Sequence, residues 1–342
     1  MKLASLKQGG RDGTLIVVSK DLTLAVAVTE IAATLQAALE DWQRTAPRLN
    51  AVYEALNLAL AGVAKPCPPT ACTGVCERFA VDFELLAAPL PRAYEFVDGS
   101  AYLPHVERVR KARGAEVPAS FYVDPLMYQG TSAGFLGPRD PIAVVSEDYG
   151  IDLEAEVIIV TDDVPMAVSV EAAAAHIQLI GLINDVSLRN LIPNELAKGF
   201  GFLQSKPRSS LAPVFVTPDE LGAAWHDCKL HLALTTHING VWFGAPEAGV
   251  DMQFNFAQLL AHAARTRPLS AGTLIGSGTV ANADTSLGAS CFAERRTVET
   301  LRDGKPSTPF MKFGDHVHIE MLDRDGRSVF GAIDQRIEPY PV

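Results

Sequence analysis

The hydrophobic pattern changes texture along the chain. Short apolar runs over residues 3–8 and 14–18 flank Gly9-Gly10-Arg11-Asp12-Gly13, which predicts a hairpin. Residues 30–45 place Ile31, Leu35, Ala38 and Leu39 near helical spacing. Pro47 opens a second predicted helix to about Leu60, with Leu49, Val52, Leu56 and Leu60 on one face. Gly62 and the prolines at Pro66, Pro68 and Pro69 end it. From about residue 75 the pattern turns to short strands between glycine- and proline-rich turns. Residues 151–160 form a strongly apolar run bounded by Gly150 and Thr161-Asp162-Asp163, a predicted buried strand.

Further predicted elements follow in order. Residues 92–98 lead into a loop that holds His105, then a basic segment with Arg108, Arg110, Lys111 and Arg113. Residues 121–137 are aromatic and loop-like, and 169–175 read as a short helix. Residues 177–183 form a second apolar run ending in Asn184-Asp185. Ser187 is placed to cap a helix that carries Arg189, has Pro193 near its middle and stops near Gly199. Asn239-Gly240 predicts a hairpin within 230–243, and 254–264 a helix. Residues 272–280, 291–297 and 317–322 read as strands, with a last strand after Asp323-Arg324-Asp325-Gly326.

Two carboxylates interrupt the run at 151–160. On a strand, Glu154 and Glu156 project from one face. Like charges side by side in a buried strand repel and are costly to desolvate, and a cation between them removes both costs. Asp98 and Asp185 also stand where apolar segments end. Oxygen ligands without cysteine suit Mg²⁺, Ca²⁺ or Mn²⁺; taken singly, Asp98 and Asp185 fit capping or surface roles better. His105 near such a cation could activate water, and Arg189 or Lys206 beside a bound anion could stabilise negative charge. Gly276-Ser277-Gly278-Thr279 resembles a phosphate-cradling turn only loosely, with no Lys-Ser or Lys-Thr after it.

Bulk composition narrows the picture. The 342 residues are 48% hydrophobic, enough for a large core and about two domains by length. A net charge of −11 argues against nucleic acid as the partner. No apolar run has spanning length and no signal peptide is visible, so neither a membrane partner nor export is expected. The five cysteines are expected to be reduced in a cytoplasmic protein; Cys67, Cys72 and Cys76 cluster without histidine or zinc-site spacing.

Taken together, the motifs resemble the fumarylacetoacetate hydrolase family. They are Asp98 to His105, Leu153-Glu154-Ala155-Glu156, Asn184-Asp185-Val186-Ser187-Leu188-Arg189, the Lys206 segment, Gly276 to Thr279, and the stretch from Phe313 to Glu320. They cover about residues 76–335 in the family's order. The resemblance implies an α+β, predominantly β architecture: a mixed β-roll catalytic domain over 76–342, usually dimeric, behind a small N-terminal α/β cap over 1–75 of the bacterial type. It implies Mg²⁺ or Ca²⁺ held by Asp98, Glu154, Glu156 and Asp185. His105 would activate water, oriented by Glu294, and Arg189 and Lys206 would stabilise an oxyanion. Tyr128 and Thr279 would contact substrate.

The implied reaction is carbon–carbon hydrolysis of a 2,4-dioxo acid, foremost 4-fumarylacetoacetate to fumarate and acetoacetate in tyrosine breakdown. Hydrolysis of fumarylpyruvate or maleylpyruvate is an alternative, as is a 2-oxo acid hydratase or decarboxylase on the same site. Two positions depart from the animal enzymes: Ile192 replaces an oxyanion-hole glutamine and Ser100 a substrate-facing tyrosine.

Overall fold

In a computed structural model, residues 1–60, 77–112, 114 and 116–341 are described. The main sheet has 11 strands. Its spine is β9 (Ala155–Thr161) paired antiparallel with β10 (Ile177–Asn184). All seven residues of β9 are buried, as a continuous β-branched run on a two-sided strand requires. On one flank lies β18 (Leu274–Gly276), then β5 (Phe96–Gly99) parallel to it, then β6 (Met127–Gln129). Next to β10 come β12 (Ser210–Leu211) and β13 (Phe215–Val216). Beyond β13 run β1 (Lys2–Leu6), β2 (Thr14–Val18), β3 (Leu24–Ala27) and β4 (Arg78–Ala80). The expected N-terminal hairpin is β1–β2, and it continues the same sheet.

The two faces of this sheet bury different things. Ile158 and Val160 belong to a core with Leu3 and Phe215, covered by α1 (Leu35–Leu39) and α2 (Trp42–Leu60) through Leu35, Leu49, Val52 and Leu56. Val157 and Ile159 point the other way. There they meet α6 (Phe256–Ala263) and a second sheet ordered β17 (Val241–Gly244), β16 (Leu234–Ile238), β19 (His316–Met321), β20 (Ile333–Pro339), β7 (Ile142–Val144). The β16–β17 turn carries Asn239 and Gly240 at φ of 53° and 74°, the left-handed pair a tight hairpin needs. Shorter pieces complete the fold: α4 (Val170–Ala173), capped by Ser169, and a small hairpin of β14 (Trp225–His226) and β15 (Lys229–Leu230).

Several elements differ from the sequence reading. The predicted strand over 151–160 is two, because Leu153-Glu154 break it: β8 (Ile151–Asp152) pairs with β11 (Ser187–Leu188). Ser187 therefore sits in a ladder and caps no helix. The helix after it, α5 (Ile192–Leu196), has Pro193 in its first turn, where the missing N–H has no partner to lose, and Arg189 lies before it. Pro47 stands inside α2 and does not open it; the helix starts at Trp42, with Thr45 N–H donating to Asp41 O at 3.0 Å. The first helix is the short α1, not a span of 30–45. His105 lies on a helix, α3 (Leu103–Ala112), not in a loop. The segment read as a strand over 291–297 is α7 (Phe292–Asp303), with Cys291 as N-cap and Gly304, at φ 80°, ending it. The proposed end of α2 at Gly62 and the Cys67, Cys72 and Cys76 cluster lie outside the described residues.

Candidate active site

Four neighbouring strands bring the carboxylates together. Asp185 follows β10, Glu156 is on β9 and Asp98 is on β5. Between β9 and β5 runs β18, whose Gly276 pairs with both Asp98 and Ile158. A Cβ on Gly276 would stand 2.2 Å from Asp98 Oδ1 and 3.2 Å from Glu156 Oε2, so a side chain there would fill the space the carboxylates use. Asp98, Glu156 and Asp185 are buried, and one oxygen of each lies within 4.8 Å of the others. Gly278 N–H donates to Asp98 Oδ1 (3.0 Å), Ser209 Oγ–H to Asp185 Oδ1 (2.6 Å), and the Tyr128 hydroxyl to Asp185 Oδ2. Among the described residues, neither oxygen of Glu156 has a hydrogen-bond partner.

This arrangement is short of positive charge. Burial, then the neighbouring Asp185, pushes the Asp98 carboxyl up to about 8. Burial, then Asp98 and Asp185, raises Glu156 well above the carboxylate range. Unpartnered buried oxygens of hard-ligand type are what a divalent cation such as Mg²⁺ or Ca²⁺ satisfies, so the residues fit such an ion.

Glu154 plays a different part from its three companions. It lines the same cavity, but its oxygens meet Arg189 Nη2 (2.5 Å) and Lys206 Nζ (2.7 Å). Burial alone would raise its carboxyl; Arg189 and Lys206 outweigh that and hold it down to about 2. Lys206 Nζ also reaches Asp185 Oδ2 at 2.6 Å and lies over the Tyr128 ring. Lys206 thus fixes Glu154 and Asp185 relative to one another, and Arg189 holds the other oxygen of Glu154. Thr279, after the Gly278 turn, lines the cavity as well.

On the far wall, α3 packs against α7. His105 Nδ1 faces Glu294 Oε2 at 3.8 Å, and both atoms are buried without a hydrogen bond among the described residues. A small closure makes this a bond, since catalytic hydrogen bonds are often long before substrate enters. His105, Glu294 and Cys291 could by proximity also form a metal triad. The Cys291 Sγ, however, accepts the Glu294 N–H at 3.3 Å, and burial, then Asp152, pushes its thiol up, which keeps it protonated.

The chain's relationship to known proteins agrees with this geometry. The fumarylacetoacetate (FAA) hydrolase C-terminal model matches residues 95–338. The chain belongs to the fumarylacetoacetate hydrolase family. A fumarylacetoacetase N-terminal domain model matches residues 1–92. No curated protein matches the chain. Among solved structures, the chain is similar to the fumarylacetoacetate hydrolase of psychrophilic Exiguobacterium antarcticum: TM-score 0.64, 18% identity, 99% of this chain and 100% of that one. It is also similar to the 5-carboxymethyl-2-hydroxymuconate delta-isomerase of Mycobacterium smegmatis, at TM-score 0.59 and 15% identity over 100% of both. The 2-hydroxyhepta-2,4-diene-1,7-dioate isomerase of Mycobacterium marinum gives TM-score 0.58 and 16% identity, again over 100% of both. At such identities the likeness is one of fold, and the family's enzymes include hydrolases and isomerases.

In this family member, sequence reasoning missed three residues. Asp152, fully buried, accepts from Phe292 N–H (2.7 Å) and Ala293 N–H (2.8 Å) at the start of α7 and from Arg189 Nε (2.7 Å), so it ties Glu294's helix to Arg189. Arg108 binds the Glu294 oxygen that His105 does not face, and donates to the carbonyls of Asn282 (2.5 Å) and Ala283 (2.8 Å). It lies three residues after His105, on the same helix face; that spacing was the available signal. Glu195 accepts from the N–H groups of Leu203, Gln204 and Ser205 and so shapes the loop that delivers Lys206.

Proposed function

We propose that the chain is a divalent-cation-dependent hydrolase that cleaves a carbon–carbon bond of a β-diketo acid, the class that includes 4-fumarylacetoacetate and the acylpyruvates. The observation that carries this reading is one cavity holding both a charge-deficient cluster of buried carboxylates and a histidine facing a carboxylate.

Asp98, Glu156 and Asp185 would hold Mg²⁺ or Ca²⁺, with Glu154 beside them. The cation would supply Lewis-acid polarisation of the diketone oxygens and a counter-charge for the electron pair released on cleavage. Glu294 orients His105 through Nδ1 and leaves Nε2 to take a proton from water as its oxygen bonds to the acyl carbonyl carbon. Arg189 and Lys206 offer positive charge to the oxygen that becomes negative; one such donor typically contributes ~10²–10³ in rate. The carbon–carbon bond then breaks, its electron pair passes to the neighbouring carbonyl, and the imidazolium returns its proton to the central carbon.

Isomerisation is the second reading, because two similar structures carry isomerase names. Reaction in oxygen-18 water separates the two: hydrolysis places one labelled oxygen in the released acid, whereas an isomerised product keeps its mass. His105→Ala should cost ~10²-fold or more in the hydrolytic rate. Unlabelled product of unchanged mass would sink the hydrolase reading.

A further inference from the structure

The cavity has a volume of about 240 Å³, and its charged lining residues are the carboxylates Asp98, Glu154 and Glu156 with Arg189 and Lys206. Leu126, Met127, Ile192 and Phe202 add apolar side chains to the lining. Two tyrosines also line it, and both spend their hydroxyl protons elsewhere. Tyr102 donates to the buried Ala248 carbonyl at 2.6 Å, and Tyr128 donates to Asp185. They present rings, and Phe202 packs edge-on to Tyr128 at 5.0 Å. Among the described residues of the lining, the permanent cations are Arg189 and Lys206. Both are engaged: Arg189 with Asp152 and Glu154, Lys206 with Glu154 and Asp185. The apolar character extends to the neighbouring sequence. Phe200 and Leu203 flank Phe202 in sequence and stand exposed, as does Val123 close before Leu126.

We propose that the acyl arm of the substrate, the part on the far side of the β-diketone from its acid group, is an uncharged alkyl or aryl chain and not a second carboxylate. The inference rests on the reading of this cavity as a β-diketo acid site. A terminal carboxylate between Leu126, Ile192 and Phe202 would leave water without gaining a cation. A methyl or phenyl group there buries apolar surface favourably. Ile192 and Leu126 are the specificity residues.

Two acylpyruvates of equal chain length test this: butanoylpyruvate, ending in methyl, and succinylpyruvate, ending in carboxylate. Turnover of each is measured with Mg²⁺, and binding of each to the Mg²⁺-loaded protein by calorimetry. The expected result is a preference for butanoylpyruvate of ~100-fold in both kcat/KM and Kd. Ile192→Arg should narrow it by about tenfold or more by pairing with the terminal carboxylate; Leu126→Arg, at a half-exposed position, serves if the first variant does not fold. Equal or better binding and turnover of succinylpyruvate by the parent protein would overturn the proposal. If neither compound is turned over, the ratio of the two Kd values still decides the nature of the arm, and the hydrolase reading is decided separately by 4-fumarylacetoacetate.

Discussion

Glu156 is the residue on which the cation site turns. Both its oxygens are buried and, among the described residues, without a hydrogen-bond partner, beside Asp98 and Asp185. Glu156→Gln should weaken Mg²⁺ binding by ~100-fold or more, and should raise the melting temperature of chelator-treated protein by removing a buried carboxyl that must take up a proton to fold. Calorimetric titration and melting curves check both; Mg²⁺ binding as tight as the parent's would remove Glu156 from the ligand set. A pH dependence follows from the same cluster. The Asp98 carboxyl is raised from 3.8 to about 8 by burial and then Asp185. A raised carboxyl stabilises the folded state while it is protonated. Its contribution is complete below about pH 4 and is lost as pH rises through about 8, with Glu156 shifted in the same direction. Chelator-treated protein should therefore melt at progressively lower temperature from about pH 5 to about pH 8, and Mg²⁺-saturated protein should not, because binding displaces the protons. A flat profile in chelator would contradict this. At this scale the carboxylates were legible because they interrupt apolar runs. Asp152 and Arg108 were not, since an acid at a strand end and an arginine in a basic run look like solvated charges until the fold joins them to α7.

The helix α3 carries His105 but has little apolar anchorage; of its middle positions Val106 and Val109 are only half-buried and Glu107 is exposed. Arg108 is its polar anchor, joined to Glu294 and to the carbonyls of Asn282 and Ala283. Arg108→Ala should lower kcat by ~10–100-fold with little change in KM, since a displacement of about 1 Å at a catalytic group has effects of that size, and Arg108→Lys should recover part of it. Steady-state kinetics on both variants decide the point; an unchanged kcat in Arg108→Ala would show that α3 is held in another way. The strands β9, β10 and β19 and the helix α6 follow from period and capping. By contrast, α3 and α7 were read as loop and strand. In α7 the Thr297 and Val298 branching and the high charge hide the helix, although Gly304 after Asp303 is its stop signal. In α3, Pro104 suggested a loop, yet proline is well tolerated in a first turn.

Across the whole molecule, the site exists because β18 inserts between β9 and β5 and presents Gly276 where the carboxylates converge. That order joins segments about 180 residues apart, and nothing in the local pattern announces it; only the ordered motif set did. Gly276→Ala should weaken Mg²⁺ binding without touching a ligand, because its Cβ would press on Asp98 Oδ1. An unchanged Mg²⁺ affinity in that variant would refute the crowding argument. Cation binding to the folded state alone should also raise the melting temperature in proportion to the logarithm of Mg²⁺ concentration. The most direct test of the central claim is the loss of enol absorbance from a panel of acylpyruvates and 4-fumarylacetoacetate, followed with Mg²⁺ and then with excess chelator. Loss that requires Mg²⁺, stops with chelator and yields the two acids is the expected result. Intact substrates in protein shown by calorimetry to hold Mg²⁺ would contradict the hydrolase account.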